Sequence, residues 1–171
     1  MANRNFCIKI VVIALVFGFM AVGSIGAQTD NRLNGSWFIY EDGTELEYRF
    51  TNGNYEIIIS GIMMERGTYT TNNNNVLNLN PTHIHGAFGA LLVELFGIKS
   101  SAFDSRWYTK NEFIVILIPI LSEIGITENQ INEIVSELIS AESMVYPYSV
   151  EGSTLIITKP EDKSVIILTK K

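Results

Sequence analysis

The sequence predicts a mainly β protein: an antiparallel up-and-down barrel of eight to nine strands interrupted by a helical insertion. Three observations carry that expectation. Apolar and polar residues alternate over short stretches in the first half of the chain, turn dipeptides separate the stretches, and strand-like segments return after a helical middle. Consecutive strands joined by tight turns make a meander, and closing the meander into a barrel removes its exposed edges.

The first strand runs from Trp37 to Glu41, aromatic and β-branched, and stops at Asp42-Gly43. In the second, Leu46, Tyr48 and Phe50 alternate with Glu45, Glu47 and Arg49, which gives one apolar face and one wet face. Asn52-Gly53 follows, and then Tyr55, Ile57 and Ile59 alternate again. Asp-Gly and Asn-Gly suit type I′ hairpin turns, whose two central residues both need positive φ. A fourth strand is expected over 66–71, a turn at the four asparagines 72–75, and a fifth strand over 76–80.

The period then changes. Phe88, Leu91, Leu92, Leu95 and Phe96 fall at helical spacing between residues 86 and 98. Residues 103–110, with Trp107 and Tyr108, read as extended, and 113–121 form an apolar run broken by Pro119. Thr127 opens a well-marked helix: its hydroxyl can cap, Gln130 sits where a capping box wants it, and Ile131, Ile134, Val135, Leu138 and Ile139 form one stripe. Strands return at 146–150, 154–158 and 165–169. The chain therefore divides into residues 1–27 and a barrel domain of 28–171, with the helical insert at about 86–142.

Residues 1–27 have the form of a secretory signal peptide. Arg4 and Lys9 make a basic start, residues 10–22 are nearly all apolar, and Gly23, Ser24, Gly26 and Ala27 precede the polar Gln28-Thr29-Asp30. The apolar run is short for a permanent span, which wants roughly 20 residues. Cleavage is expected after Ala27, retention as an anchor being the alternative. Cys7, the single cysteine, leaves with the leader, so disulfides and Cys-rich zinc sites are excluded from the 144 residues that remain. The full chain has 12 basic and 18 acidic residues; without Arg4 and Lys9 its net charge moves from −6 to −8. That balance argues against nucleic acid as a partner, because phosphate binding needs a basic face.

Gly35-Ser36-Trp37, after the short turn at 31–34, resembles the G-x-W signature of lipocalins. Gly67-Thr68-Tyr69-Thr70 and the later Tyr148-Ser149-Val150-Glu151-Gly152-Ser153-Thr154-Leu155 are similar to the G-T-Y and Y-x-V-x-G-x-x-L cadence of small bacterial lipocalin-like (calycin-type) domains, which are secreted or envelope proteins. The resemblance spans most of residues 33–169. It implies a barrel whose floor is closed by Trp37. Three departures accompany it: there is no T-D-Y segment, no basic residue that the sequence alone places across Trp37, and the helical material is an insert instead of following the last strand.

Candidate chemistry is sparse. His83 and His85 are the only histidines; two positions apart on a strand, both imidazoles would face one side and could ligate zinc or copper, although a stable site wants a third ligand. The blander reading is two surface histidines ending a strand. No mature cysteine, G-x-S-x-G or Gly-rich phosphate loop occurs, and Glu45 and Glu47 read as the wet face of a strand. Asn34-Gly35-Ser36 fits a glycosylation acceptor, and Asn34 serves equally as a turn residue. The expectation is therefore a non-enzymatic protein without a cofactor.

The aromatic residues admit two readings. Trp37, Tyr48, Phe50, Tyr55 and Tyr69 either fill a solid barrel or line an apolar cup whose hydroxyls orient a ligand. The apolar insert favours the cup, with 86–98 and 113–141 covering its mouth. The expected function is an exported protein, periplasmic or extracellular at a bacterial envelope, that binds a small hydrophobic or amphipathic ligand under a helical lid. Its ligand-contacting set is Trp37, Tyr48, Phe50, Tyr55, Tyr69 and Trp107. The alternative is a solid barrel whose insert docks on an envelope protein or a second copy.

Overall fold

A computed structural model of the protein describes residues 28–41, 43–95, 102–123, 125–140, 144–160 and 163–171. The expected leader (1–27), Asp42 and Phe96 lie outside the described residues, as do the side chains of Leu95, Leu138 and Ile139.

Nine antiparallel strands follow a short 3-10 turn (Asn31–Leu33): β1 (Gly35–Glu41), β2 (Thr44–Thr51), β3 (Asn54–Ile59), β4 (Ile62–Thr71), β5 (Val76–His85), β6 (Trp107–Thr109), β7 (Met144–Glu151), β8 (Thr154–Thr158) and β9 (Val165–Lys170). Eight of them close in the order β1-β2-β3-β4-β5-β7-β8-β9, and β6 adds to β5 outside that ring. Three helices, α1 (Gly86–Leu95), α2 (Lys110–Glu123) and α3 (Glu128–Ser140), lie in the insert between β5 and β7. The expected barrel with a helical insertion is the architecture observed. Among the described residues no helix is long and apolar enough to cross a membrane.

The hairpin turns follow the turn chemistry. Asn52 (φ 47°) and Gly53 (φ 84°) both take positive φ, as a type I′ turn requires, and Ser60 (φ 48°) and Gly61 (φ 79°) repeat the pattern. The second turn lengthens β4, which begins at Ile62 and not at residue 66 as the sequence suggested. Register shifts are the reason. One lies between Ile57 and Ile58 where β3 meets β4, and another between Arg66 and Gly67 where β4 meets β5. Bulges put an extra residue on one strand and so break the two-residue alternation that a reader follows. The β5 bulge also carries the strand through Pro81 to His85, five residues past its expected end.

A continuous row of cross-strand pairs climbs the inner wall: Lys170↔Trp37↔Tyr48↔Ile57↔Glu65↔Ile84↔Tyr108. Its lower end meets the barrel core, where Leu33, Trp37, Phe50, Tyr69, Leu77, Leu155 and Leu168 are buried together. Its upper end meets a second core, built from Met64, Ile84 and Tyr108 with Phe88 and Leu92 of α1, Phe113 and Leu117 of α2 and Ile131 of α3. Glu65 stands in the row where one core gives way to the other.

The insert enters through a split seam. β5 pairs with β7 only along Val76–Leu79; along His83–His85 it pairs with β6 instead. Both later helices start on capping boxes. Thr109 N donates to Glu112 Oε2 (2.8 Å) and Thr127 N to Gln130 Oε1 (3.1 Å), while each threonine hydroxyl accepts from the backbone N of its partner. The apolar run at 113–121 is thus the middle of α2. Pro119 sits inside that helix on its exposed side, one turn after the exposed Val115, whose carbonyl loses its helical donor.

Candidate functional site

The unusual group in this barrel is Glu65. It is fully buried, its Oε1 accepts a 2.6 Å hydrogen bond from the Tyr55 hydroxyl, and its Oε2 is buried with no hydrogen-bond partner among the described residues. Tyr55 reaches it because Gly67 lies opposite on β4. A Cβ there would come within 2.8 Å of the Tyr55 ring and 2.0 Å of the Asn80 carbonyl oxygen, so only a bare backbone leaves room.

Burial pushes the Glu65 carboxyl up to about 7, against the opposing pull of the Tyr55 hydrogen bond and the positive charge of Lys110 at the start of α2. Burial also pushes Tyr48 up to about 12, with the Glu65 charge adding to it, and holds Tyr55 well above its ordinary value. Near neutral pH these phenols are neutral donors, and Glu65 is the member of the group that changes charge.

The two ends of the barrel interior differ in closure. Trp37, Phe50, Tyr69, Leu77, Leu155 and Leu168 at the lower end are each at most 1% exposed. In the upper half the inward-facing Ile39 on β1, Leu46 and Tyr48 on β2, Tyr146 on β7 and Ile166 on β9 keep part of their surface accessible. The helices instead pack on β4, β5 and β6, leaving the β1–β2–β9 side of the mouth less covered.

The sequence-predicted residues therefore separate. Tyr48 and Tyr55 come together beside Glu65. Trp37, Phe50 and Tyr69 form the sealed floor: Phe50 meets Tyr69 edge to face at 5.0 Å, and Trp37 Nε1 donates to the Leu33 carbonyl at 2.6 Å. Asn34 is used in that floor as a turn residue, accepting from Asn52 N (3.0 Å) and the Tyr69 hydroxyl (3.3 Å) through Oδ1.

Trp107 corrects an expectation. It alternates with the inward Tyr108 and so projects from the outer face, where its ring meets His85 edge-on at 4.8 Å and lies under the Arg66 guanidinium at 4.6 Å. A three-residue strand cannot put two neighbours on one side, and the wall position goes to Tyr108.

His83 and His85 do share one face, as two-residue spacing requires, and it is that same outer face. His83 Nδ1 is 2.9 Å from the Thr82 hydroxyl, and His85 Nδ1 accepts from Ala87 N (3.1 Å) at the start of α1. Burial, with Arg66 beside it, lowers the His85 pKa. Among the described residues no group of three or more His, Cys, Asp or Glu is arranged to hold a metal ion. An outer groove of about 540 Å³ beside His83 holds Arg49 and Arg66, but Arg49 is paired with Glu47 and Glu56 and Arg66 with the Trp107 ring.

Three residues that matter here escape the sequence reading. Glu65 lies in the stretch that the bulge removes from the alternating pattern, and Tyr146 reads only as the start of a late strand. Lys170 lies across Trp37, with Nζ 5.0 Å from the ring centroid and donating to the Asn34 carbonyl at 2.6 Å. This supplies the basic residue that the sequence alone does not place, and only closure of β9 against β1 brings it there. Comparison with known proteins gives no family model that matches the chain, and no curated protein or solved structure that matches it.

Proposed function

We propose that the protein binds a small hydrophobic or amphipathic molecule in the upper half of its barrel, beneath the helical lid, and makes or breaks no bond in it. The observation that carries this reading is the contrast within one interior: a floor packed shut, and above it, on β1, β2, β7 and β9, inward apolar and tyrosyl side chains that keep accessible surface. Apolar burial supplies the affinity, and the tyrosine hydroxyls supply orientation. The lipocalin-like resemblance and the lysine across Trp37 support the same reading, and the order of residues 1–27 supports export to a bacterial periplasm or cell surface.

Titration with Nile red, a neutral dye that brightens in apolar sites, tests the binding. The expected result is a saturable, blue-shifted signal that Tyr48→Trp weakens by filling the mouth; a linear, non-saturating signal overturns the reading. Export is checked by the mass of protein recovered from a bacterial periplasm, which should lack residues 1–27.

A second reading has its own observation. Val115 (71% exposed) and Ile118 on α2, and Val165 and Ile167 on the outer face of β9, present apolar side chains to solvent. They suit association with an envelope protein or a second copy. Sedimentation at rising concentration checks for self-association, and a monomer throughout counts against the second copy.

A further inference from the structure

We propose that the polar end of the ligand is an amine, docked as its ammonium on Glu65 Oε2, with its apolar body toward Tyr48 and Tyr146. This rests on the binding reading above and sharpens it to a ligand class.

The argument starts from satisfaction of polar groups. Buried carboxylate oxygens are almost always hydrogen-bonded, and one left bare costs the desolvation of that group. Glu65 Oε1 has the Tyr55 hydroxyl, while Oε2 has no partner among the described residues. In the ionised form what is missing is a donor. A ligand carboxylate or phosphate offers only acceptors and brings like charge, so the ionised carboxylate rejects it. A neutral hydroxyl offers one donor, whereas an ammonium offers several donors and the opposite charge, and charge-assisted bonds are roughly twice as strong as neutral ones.

The surroundings agree with a cation. Tyrosine rings attract ammonium groups through their faces, and Tyr48 on β2 and Tyr146 on β7 are both partly buried against the barrel core. The titratable and charged groups felt at this point are Tyr48 on β2, Tyr55 on β3, Tyr146 on β7 and Lys110 at the start of α2. Lys170 is held at the floor by the Asn34 carbonyl.

Proton bookkeeping follows from chemistry. The ammonium keeps its own proton, and a protonated Glu65 releases its proton to solvent when the cation docks. Amine affinity therefore rises with pH through the range in which Glu65 ionises, while the affinity of a neutral ligand stays flat.

The test compares octylamine, octanol and octanoate as competitors of Nile red, on the wild-type protein and on Glu65→Gln, from roughly pH 6 to 8. The expected result is a preference for octylamine over octanol of about tenfold or more, rising with pH, with octanoate weakest. Glu65→Gln, which keeps the shape and an acceptor for Tyr55, should remove both the preference and its pH dependence while Nile red still binds. If Nile red and octanol bind but octylamine is no better, or the preference survives Glu65→Gln, the amine assignment is overturned and Oε2 is left to an internal water; the binding reading then stands. If Nile red does not bind at all, both fall. Should Glu65→Gln fail to fold, the wild-type profile decides alone: an octylamine affinity unchanged across that pH range overturns the assignment.

Discussion

The floor and the mouth of this barrel each contain a tyrosine hydroxyl donating to a carboxylate, and the two pairs behave oppositely. At the floor Tyr148 donates to Asp30 Oδ2 (2.8 Å), and Arg32 grips the same carboxylate with three side-chain hydrogen bonds and one from its backbone. The Arg32 hydrogen bonds hold the Asp30 carboxyl down at about 2 in spite of partial burial. At the mouth Tyr55 donates to Glu65 at an even shorter 2.6 Å, no cation among the described residues hydrogen-bonds the carboxylate, the Lys110 charge acts only through space, and its value rises to about 7. One neutral donor does not offset the loss of water around a charge. A guanidinium at the edge of solvent does.

The same contrast runs through packing. The floor is a finished core, whereas the upper half is assembled from two cores meeting along a split seam, with the buried carboxylate between them. Natural proteins place unsatisfied polar groups sparingly, and such groups gather where a ligand completes the structure.

Five substitutions would break or sharpen this contrast. The largest effect belongs to the floor: Trp37→Ala should cost about 3–5 kcal/mol in denaturant unfolding, as other buried aromatic truncations do. Leu46→Ala at the half-open mouth should cost less, about 2 kcal/mol, since part of its surface stays in water. Equal losses would erase the distinction between the two ends.

Next comes the pH dependence carried by Glu65. Its folded value lies above its unfolded one, so the folded state holds the extra proton, and stability is highest below pH 4.5 and falls as pH rises to 7. The fall is on the order of 3 kcal/mol from this group. Glu65→Gln should flatten that slope and leave the protein more stable than wild type above pH 7, read from chemical denaturation at several pH values. A wild-type protein whose stability rises steadily over that interval would contradict the buried-carboxyl description.

Asp30 has the opposite sign. Its folded value is depressed, so its contribution is present above pH 3.8 and disappears as pH falls towards 2. Solvent beside the exposed Arg32 screens the pair, and Asp30→Asn should cost only about 1 kcal/mol at neutral pH. The gap from wild type should close in acid.

The smallest effect is local. Thr127→Ala removes the cap of α3 and should cost about 1 kcal/mol or less. Faster amide exchange confined to α3, with Nile red leaving the site more quickly, would tie the lid to ligand retention. Unchanged release would separate the two.

Much of this molecule was legible before folding. Asn52-Gly53 announced its hairpin because few residues tolerate two successive positive φ values, and Leu46-Tyr48-Phe50 announced its inner face because strand side chains alternate. Thr127 and Gln130 marked a helix start through chemistry confined to four residues. The Thr109–Glu112 box carried the same signal, but it was obscured by Pro119 farther along the same run. The candidate site was half legible. Tyr48 and Tyr55 stood out as inward aromatics, whereas Glu65 was hidden in Ile62-Met63-Met64-Glu65, where a bulge breaks the period, and Trp107 was placed on the wrong face.

By itself, then, the amino-acid order determined the strands, the turns and the helix caps, because each is settled by interactions among residues near one another in the chain. Only the tertiary structure decided that Lys170 covers Trp37, that the insert splits the seam between β5 and β7, and that Glu65 is sealed beside Tyr55. Those facts depend on which distant strands become neighbours and on where water is excluded. Neither register across a closed ring nor burial is carried by any short segment of the chain.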